Sequence, residues 1–210
     1  SAGSLFEYLI NDTWALRNTM RYSSIEFDGK TVFGGGLQED LRSLNRFGFG
    51  NTFELKIFTM DTNAYAHFDS GSVEHSLLFG VDYSTSESKI VSGFSFAAPL
   101  DVFAPVYGSS VPDLFIYGNV NQPIDQLGIY VQDQMKFASR WIATLALRQD
   151  STDITTDNRL SDSQVDQSDS ALTGRVALTY LAESGLAPYF SYSTSFLPVA
   201  GVDFYNRPFD

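Results

Sequence analysis

The chain of 210 residues has no cysteine. Disulfides, thiolate nucleophiles and thiolate zinc sites are therefore excluded within it. Positive charge is scarce as well: 13 Lys and Arg stand against 25 Asp and Glu, for a net charge of -12. Neutralising phosphates takes clustered Lys and Arg, and no basic stripe is present, so nucleic acid is not an expected partner. Histidine is limited to His67 and His75. No G-x-S-x-G, P-loop or H-E-x-x-H string occurs, and both histidines sit near turns, so an enzyme is not expected. Long hydrophobic runs are missing too. The least polar stretch, residues 94–106, is broken by Pro99, Asp101 and Pro105 and falls short of the ~20 residues a membrane helix needs. The opening Ser1-Ala-Gly-Ser-Leu-Phe6 shows no basic and apolar leader.

What the chain does have is alternation. In Ala171-Leu-Thr-Gly-Arg-Val-Ala-Leu-Thr-Tyr180, Leu172, Val176, Leu178 and Tyr180 share one face, while Thr173, Arg175 and Thr179 share the other. Strand side chains flip at every residue, so this stretch makes one oily and one wet face. About eight such stretches are expected: residues 4–10, 13–25, 45–68, 73–84, 124–137, 140–150, 171–180 and a last one running to about Phe196. In the third, the apolar face changes phase near Ile57-Phe58, which predicts a bulge. Arg17, Arg21, Arg148 and Arg175 fall on wet faces. Asp133 interrupts the oily face of the fifth stretch, and its charge predicts a place near the lipid headgroups.

The connections alternate between short and long. Asn11-Asp12, Asp69–Ser72, Ala138-Ser139 and Ala182–Gly185 are turns. Residues 26–44, 85–123 and 151–170 read as long loops, and 197–210 as a Pro/Gly-punctuated tail. Short turns at one end and long loops at the other are the pattern of outer-membrane barrels, with aromatic girdles at both interfaces. Trp14, Phe68, Phe137 and Trp141 lie near turns; Tyr22 and Tyr83 lie near the long loops. Mean hydropathy near zero fits, since lumen-facing polar residues dilute each strand. The fold class read from the residues is all-β: antiparallel transmembrane strands facing outer-membrane lipid. A soluble β-sandwich accounts for the alternation but not for the strand lengths or the loop asymmetry.

Four strings carry a family resemblance. They are Gly128-Ile-Tyr-Val-Gln-Asp-Gln134, Trp141-Ile-Ala-Thr-Leu-Ala-Leu-Arg148, Gly185-Leu-Ala-Pro-Tyr-Phe-Ser-Tyr-Ser-Thr-Ser-Phe196 and Val73-Glu-His-Ser-Leu-Leu-Phe-Gly-Val-Asp82. In this order and spacing the chain resembles the barrel of TonB-dependent ferric siderophore receptors of the ferrichrome/hydroxamate type. The resemblance implies a bacterial outer-membrane location and a barrel of about 22 strands closed around a plug. It also implies uptake of a ferric siderophore driven by the TonB complex. About eight strands, no plug, no TonB box and the ending Pro208-Phe209-Asp210 read as one internal segment of that barrel domain over residues 1–210. Closure of the eight strands into a small free-standing barrel is the structural alternative. A passive porin-like, small structural or adhesin-like barrel is the functional one.

Ferric hydroxamates are bulky chelates with apolar backbones, and an aromatic pocket facing outside suits them. The expected ligand-binding residues are loop aromatics. Phe33 falls on the first aromatic of a V-Y-G-Y-G-like family string. Phe94 and Phe96 lie where the family's next long loop supplies aromatics. Phe103 and Tyr107 are further candidates, with Phe115 and Tyr117 behind them. No cofactor is expected, because iron arrives already chelated. His67, His75 and Glu74 do not suggest a metal site, and the Asp-rich stretch 150–169 lacks EF-hand spacing.

Overall fold

A computed structural model describes residues 1–201, 203 and 204. The last residues of the expected tail lie outside the described residues. The described residues form eight strands: β1 (Ala2–Leu9), β2 (Trp14–Leu37), β3 (Ser43–Ser70), β4 (Val73–Asp101), β5 (Phe115–Phe137), β6 (Trp141–Asn158), β7 (Ser163–Tyr180) and β8 (Tyr189–Ser193). They make one sheet in the order β1 to β8, and every neighbour is antiparallel. No helix among the described residues is long and apolar enough to cross a membrane, which says nothing of strands.

β1 and β8 are the two edges of the sheet, so the eight strands do not close on themselves. This removes the small free-standing barrel. The sheet is a partial barrel wall. It also has no packed interior: Ala15, Ala66 and Ile154 are the buried apolar residues among those described. Both faces are open, as expected of a wall with lipid on one side and a lumen on the other.

The strands outrun the sequence expectation. β4 has 29 residues and β3 has 28, against the ~9–11 that cross a bilayer. Residues 26–44, 85–123 and 151–170 were expected as loops. Most of them are strand, and the true connections at that end are residues 38–42, 102–114 and 159–162. Ser, Thr, Gly and Asp mark loops only as a correlation. Here they alternate with Phe, Ile and Val along extended hairpins, and the ladder bonds of the neighbouring strand hold them.

The bulge expected at Ile57-Phe58 is absent. β3 pairs without a break from Arg46 to Ser70 with β4, and from Arg46 to Ala66 with β2. The register shifts lie elsewhere, at Gly34/Leu37, Leu44/Arg46 and Ser92/Gly93. The apolar residues of β3 do change parity at Ile57-Phe58, but the backbone does not. Phe58, Met60, Ala64, Ala66 and Phe68 face outward. Ile57, Leu55, Phe53, Phe49 and Phe47 face inward. The strand leaves the membrane at this point, so its outer face turns polar and its inner face apolar.

The other strands cross over at the same level. On the turn side, Leu16, Met20, Phe79, Val81, Leu127, Ile129, Val131, Leu145, Leu147, Val176 and Leu178 form a continuous outward apolar band. Many remain large exposed hydrophobics, including Phe79 at 50% and Leu147 at 56%. A patch of that extent needs lipid or a partner. Above the rim of Tyr22, Phe58 and Tyr83 the outward positions become Glu26, Asp28, Lys30, Glu54, Lys56, Glu87 and Lys89. Trp141 and Tyr180 pack at 4.7 Å on the turn-side rim.

Asp133 is not at a headgroup rim. It lies two outward positions in from Phe137, opposite Leu77 and Leu145. His75 on the neighbouring strand pairs with it, Nδ1 to Oδ2 at 2.8 Å, and Phe68 stacks on the His75 ring at 4.9 Å. A carboxylate is tolerated on the lipid side because its counter-group comes from the same wall.

Candidate functional site

The inward face has two zones. The lower one, at membrane depth, is a set of charged groups laid flat on the wall. Arg148 of β6 reaches across β5 to Asp82 of β4, with Nη1 to Oδ2 at 2.5 Å and Nη2 to Oδ1 at 3.1 Å. It also donates to Asp150, with Nη2 to Oδ1 at 2.6 Å and Nε to Oδ2 at 2.8 Å. Gly128 lies beneath the guanidinium, and a Cβ there would collide with it. Gly80 does the same for Tyr130, whose hydroxyl passes over β4 to donate to Asp61 of β3 at 2.9 Å. Two glycines thus turn two long side chains into straps across three strands each. Near the turns, Arg17 pairs with Glu7 at 3.0 Å, and Tyr65 donates to the same carboxylate at 2.7 Å. Arg21 and Arg175 make no ion pair among the described residues. Two of the four lumen arginines are therefore structural clasps.

The upper zone on β2 to β5 carries no charge above the level of Ser84, where Arg21 and Asp169 mark its lower edge. Its inward positions are Ile25, Phe27, Thr31 and Phe33 on β2, and Phe47, Phe49, Asn51, Phe53 and Leu55 on β3. β4 adds Ser84, Ser86, Ser88, Ile90, Ser92, Phe94 and Phe96, and β5 adds Phe115, Val120, Gln122 and Ile124. The rings touch one another. Phe94 meets Phe96 at 5.7 Å, Phe115 at 5.9 Å and Tyr117 at 6.3 Å; Phe96 meets Phe47 at 5.7 Å. Phe33 meets Phe49 edge-on at 5.3 Å. These spacings are those of favourable ring pairs. Phe96 and Phe115 nevertheless keep 71% and 69% of their surface open.

The structure thus brings Phe94 and Phe96 together on β4, with Phe33 two strands away on β2. All three are strand residues rather than the loop residues expected. Phe103 and Tyr107 do lie in a loop, at 77% and 74% exposure, and no ring contact joins them to the cluster. Phe47, Phe49 and Phe53 were missed. Their period-two spacing was visible, but the phase change beside it was read as a bulge, which hid the fact that they point inward. His67 and His75 do not converge on a metal: His67 Nδ1 lies 3.0 Å from Ser76 Oγ, and no group of three metal-ligating side chains occurs among the described residues.

At the tips, Arg42 binds Asp101 with Nε to Oδ2 at 2.6 Å, joining the β2–β3 connection to the end of β4. Asp101 Oδ1 also accepts the amides of Phe103 and Ala104. The Arg42 hydrogen bond is the largest reason that the Asp101 carboxyl sits below the usual range. Asp40 is lowered mainly by the Ser43 hydroxyl.

A polarity-inverted hairpin wall with clasped arginines in its lumen is part of a transmembrane barrel of the outer membrane. Residues 1–209 match the family described as TonB dependent receptor-like, beta-barrel, and the chain belongs to that family. It is 31% identical to the Ferrioxamine B receptor of Salmonella typhimurium over 201 residues, covering 96% of this chain and 28% of the relative. It is 28% identical to the Ferrichrome outer membrane transporter/phage receptor of Escherichia coli, covering 95% of this chain and 30% of the relative. The chain thus spans under a third of the length of these relatives. Among solved structures, the ferric-catecholate import receptor Fiu of Escherichia coli in its closed form superposes with a TM-score of 0.78. The identity is 18%, covering 98% of this chain and 35% of that one. The siderophore receptor PiuA of Acinetobacter baumannii gives 0.78 at 16% identity, with 92% and 31% covered. At these identities the two structures speak to the fold alone.

Proposed function

We propose that the whole protein is an outer-membrane receptor that imports a ferric siderophore, energised by a TonB complex through segments outside this chain. The observation that carries this reading is the uncharged aromatic wall above membrane level. Rings bury large area at little entropic cost, and Ser, Asn and Gln beside them serve the polar rim of a chelate. The names of the ferrioxamine and ferrichrome relatives support it.

Charge narrows the substrate. Three hydroxamate monoanions around one ferric ion sum to zero, whereas three catecholate dianions leave a trianion. A trianion needs cations where it binds, and no Lys or Arg takes an inward position of β2 to β5 at the level of the rings, Arg21 lying below them at the level of Ser84. A neutral hydroxamate chelate fits it. Iron enters only inside that chelate, and the protein does no chemistry on it.

The test is binding of a ferric hydroxamate by the purified full-length receptor, with Phe94→Ala and Phe33→Ala. Each substitution is expected to weaken binding about tenfold, or ~1.4 kcal/mol. Unchanged affinity in both variants would remove the ring wall as the site. Ion conductance through the intact receptor in planar bilayers, with no energising complex present, would favour a passive porin instead.

A further inference from the structure

Three residue types recur in one cross-strand order on the inward face. Ser88 of β4, Gln122 of β5 and Thr156 of β6 stand side by side in one row. Ser84, Gln126 and Thr152 stand side by side in another, nearer the turns. Ser86, Ile124 and Ile154 separate the two. At ~3.3 Å per strand residue the rows are ~13 Å apart. Directly above the upper row lie Phe27, Phe53, Ile90 and Val120, the lowest level of the ring wall.

The same three side chains are joined differently in the two rows. In the upper one Gln122 Nε2 donates to Thr156 Oγ1 at 2.9 Å, linking β5 to β6. The Thr156 oxygen is thereby engaged as an acceptor, and its hydroxyl proton is left to donate. The Ser88 hydroxyl has no protein partner among the described residues. All three side chains are half-buried on the lumen face. In the lower row Asp150 competes for the amide. Gln126 Nε2 turns to Asp150 Oδ1 at 3.2 Å, and Thr152 is sealed at 1% exposure with its hydroxyl unpaired. Only the upper row presents an oriented donor to what lies against the rings.

We propose that Thr156 and Ser88, with Gln122 between them, read a secondary amide in the chain of the ligand. This deepens the chelate reading above and rests on it. The C=O and N–H of a trans amide point in opposite directions. The row has its donor, the Thr156 hydroxyl, on β6 and an acceptor, the Ser88 oxygen, on β4, two strand spacings or ~10 Å away. An amide lying across Gln122 meets both. Leu55, Ile90, Val120 and Ile124 around the row take the methylenes on either side of it. Gln122 is a positioning residue: its bond fixes the Thr156 hydroxyl before the ligand arrives, so less side-chain freedom is lost on binding. A site built to hydrogen-bond a group discriminates strongly against ligands that lack it. The row therefore chooses among neutral hydroxamates, which the rings, accepting any apolar surface, do not.

Two neutral ferric chelates separate the row from the rings. One is a linear trihydroxamate with secondary amides in its chain. The other is ferric acetohydroxamate, kept whole by excess acetohydroxamic acid, which has the same core and no chain. Binding of each to the purified full-length receptor is measured. Thr156→Val with Ser88→Ala is expected to weaken the trihydroxamate about tenfold or more and the acetohydroxamate less than about twofold. Phe94→Ala is expected to weaken both. Thr152→Val, in the sealed row, is expected to change neither. Equal losses for the two chelates in the Thr156/Ser88 variant would make these residues structural, and no loss for either would mean that the row is not read; each result overturns the proposal. A loss in Thr152→Val matching that in the upper row overturns it as well. If the unaltered receptor binds neither chelate, the hydroxamate reading itself falls, and the role of the row falls with it.

Discussion

The membrane half and the outer half of this wall are built from the same strands with opposite rules. Below the Tyr22, Phe58 and Tyr83 rim, apart from the Asp133–His75 pair, apolar side chains face outward and charges face the lumen. Above it, Glu54, Lys56, Glu87 and Lys89 face outward and the phenylalanines face inward. The backbone register runs through the change without interruption. The solvent outside the wall changes, not the fold. Lipid accepts only apolar groups on the outer surface. Once water replaces lipid, the outer face must be polar, and the inner face is free to become a binding surface.

The largest effect expected from this comparison is a charge placed on the outward face at the two levels. Phe79→Arg puts a guanidinium in hydrocarbon and should destabilise the membrane-folded receptor by ~2–4 kcal/mol. Thr52→Arg sits on the same face above the rim and should change stability by less than about 0.5 kcal/mol. Refolding titrations into lipid vesicles measure both. Equal costs would break the comparison.

Next comes the lumen clasp. Arg148→Ala removes the guanidinium from Asp82 and Asp150, leaving Asp150 the Gln126 Nε2 donor at 3.2 Å. The Asp150 side chain is only 4% exposed, while the arginine is one-third exposed. A loss of ~1–3 kcal/mol is expected in the same titration. Gly128→Ala should reproduce part of it, because its methyl group would take the space of the guanidinium. An unaffected Gly128→Ala receptor would show that the arginine does not need to lie flat.

The smallest effect concerns acid at the tips. Asp101 has a folded pKa below its unfolded one, mainly through Arg42. Its stabilisation is therefore complete above the unfolded value, about 3.9, and is lost as pH falls through the folded value. Amide exchange at Phe103 and Ala104, normalised for the intrinsic pH dependence, should rise over that window. Amides of β5 at membrane depth should hold constant. A uniform rise along the sheet would contradict a local clasp.

Much of this was legible in the residues. The eight strands, the turn ends and the outward band follow from period-two alternation, because a strand cannot hide which of its faces is oily. The ordered strings from Val73 to Phe196 pointed to the right family. Phe94 and Phe96 were found as candidates, although their placement in a loop was wrong. What escaped was the upper half. Serine-rich and aspartate-rich stretches such as residues 85–89 and 151–157 look like loops when read alone. They are strands because a neighbouring strand supplies their hydrogen bonds, and that pairing is non-local.

The sequence by itself thus determined an alternating, antiparallel, lipid-facing sheet and its family, since side-chain parity and motif order are properties of the chain. Only the tertiary structure decided that the phase change in β3 is a change of surroundings and not a bulge. It alone brought Phe47 beside Phe96, laid Arg148 over Gly128, and joined Gln122 to Thr156. Each of these contacts joins residues far apart in the chain. Register across strands brings such residues together, and no local pattern encodes it.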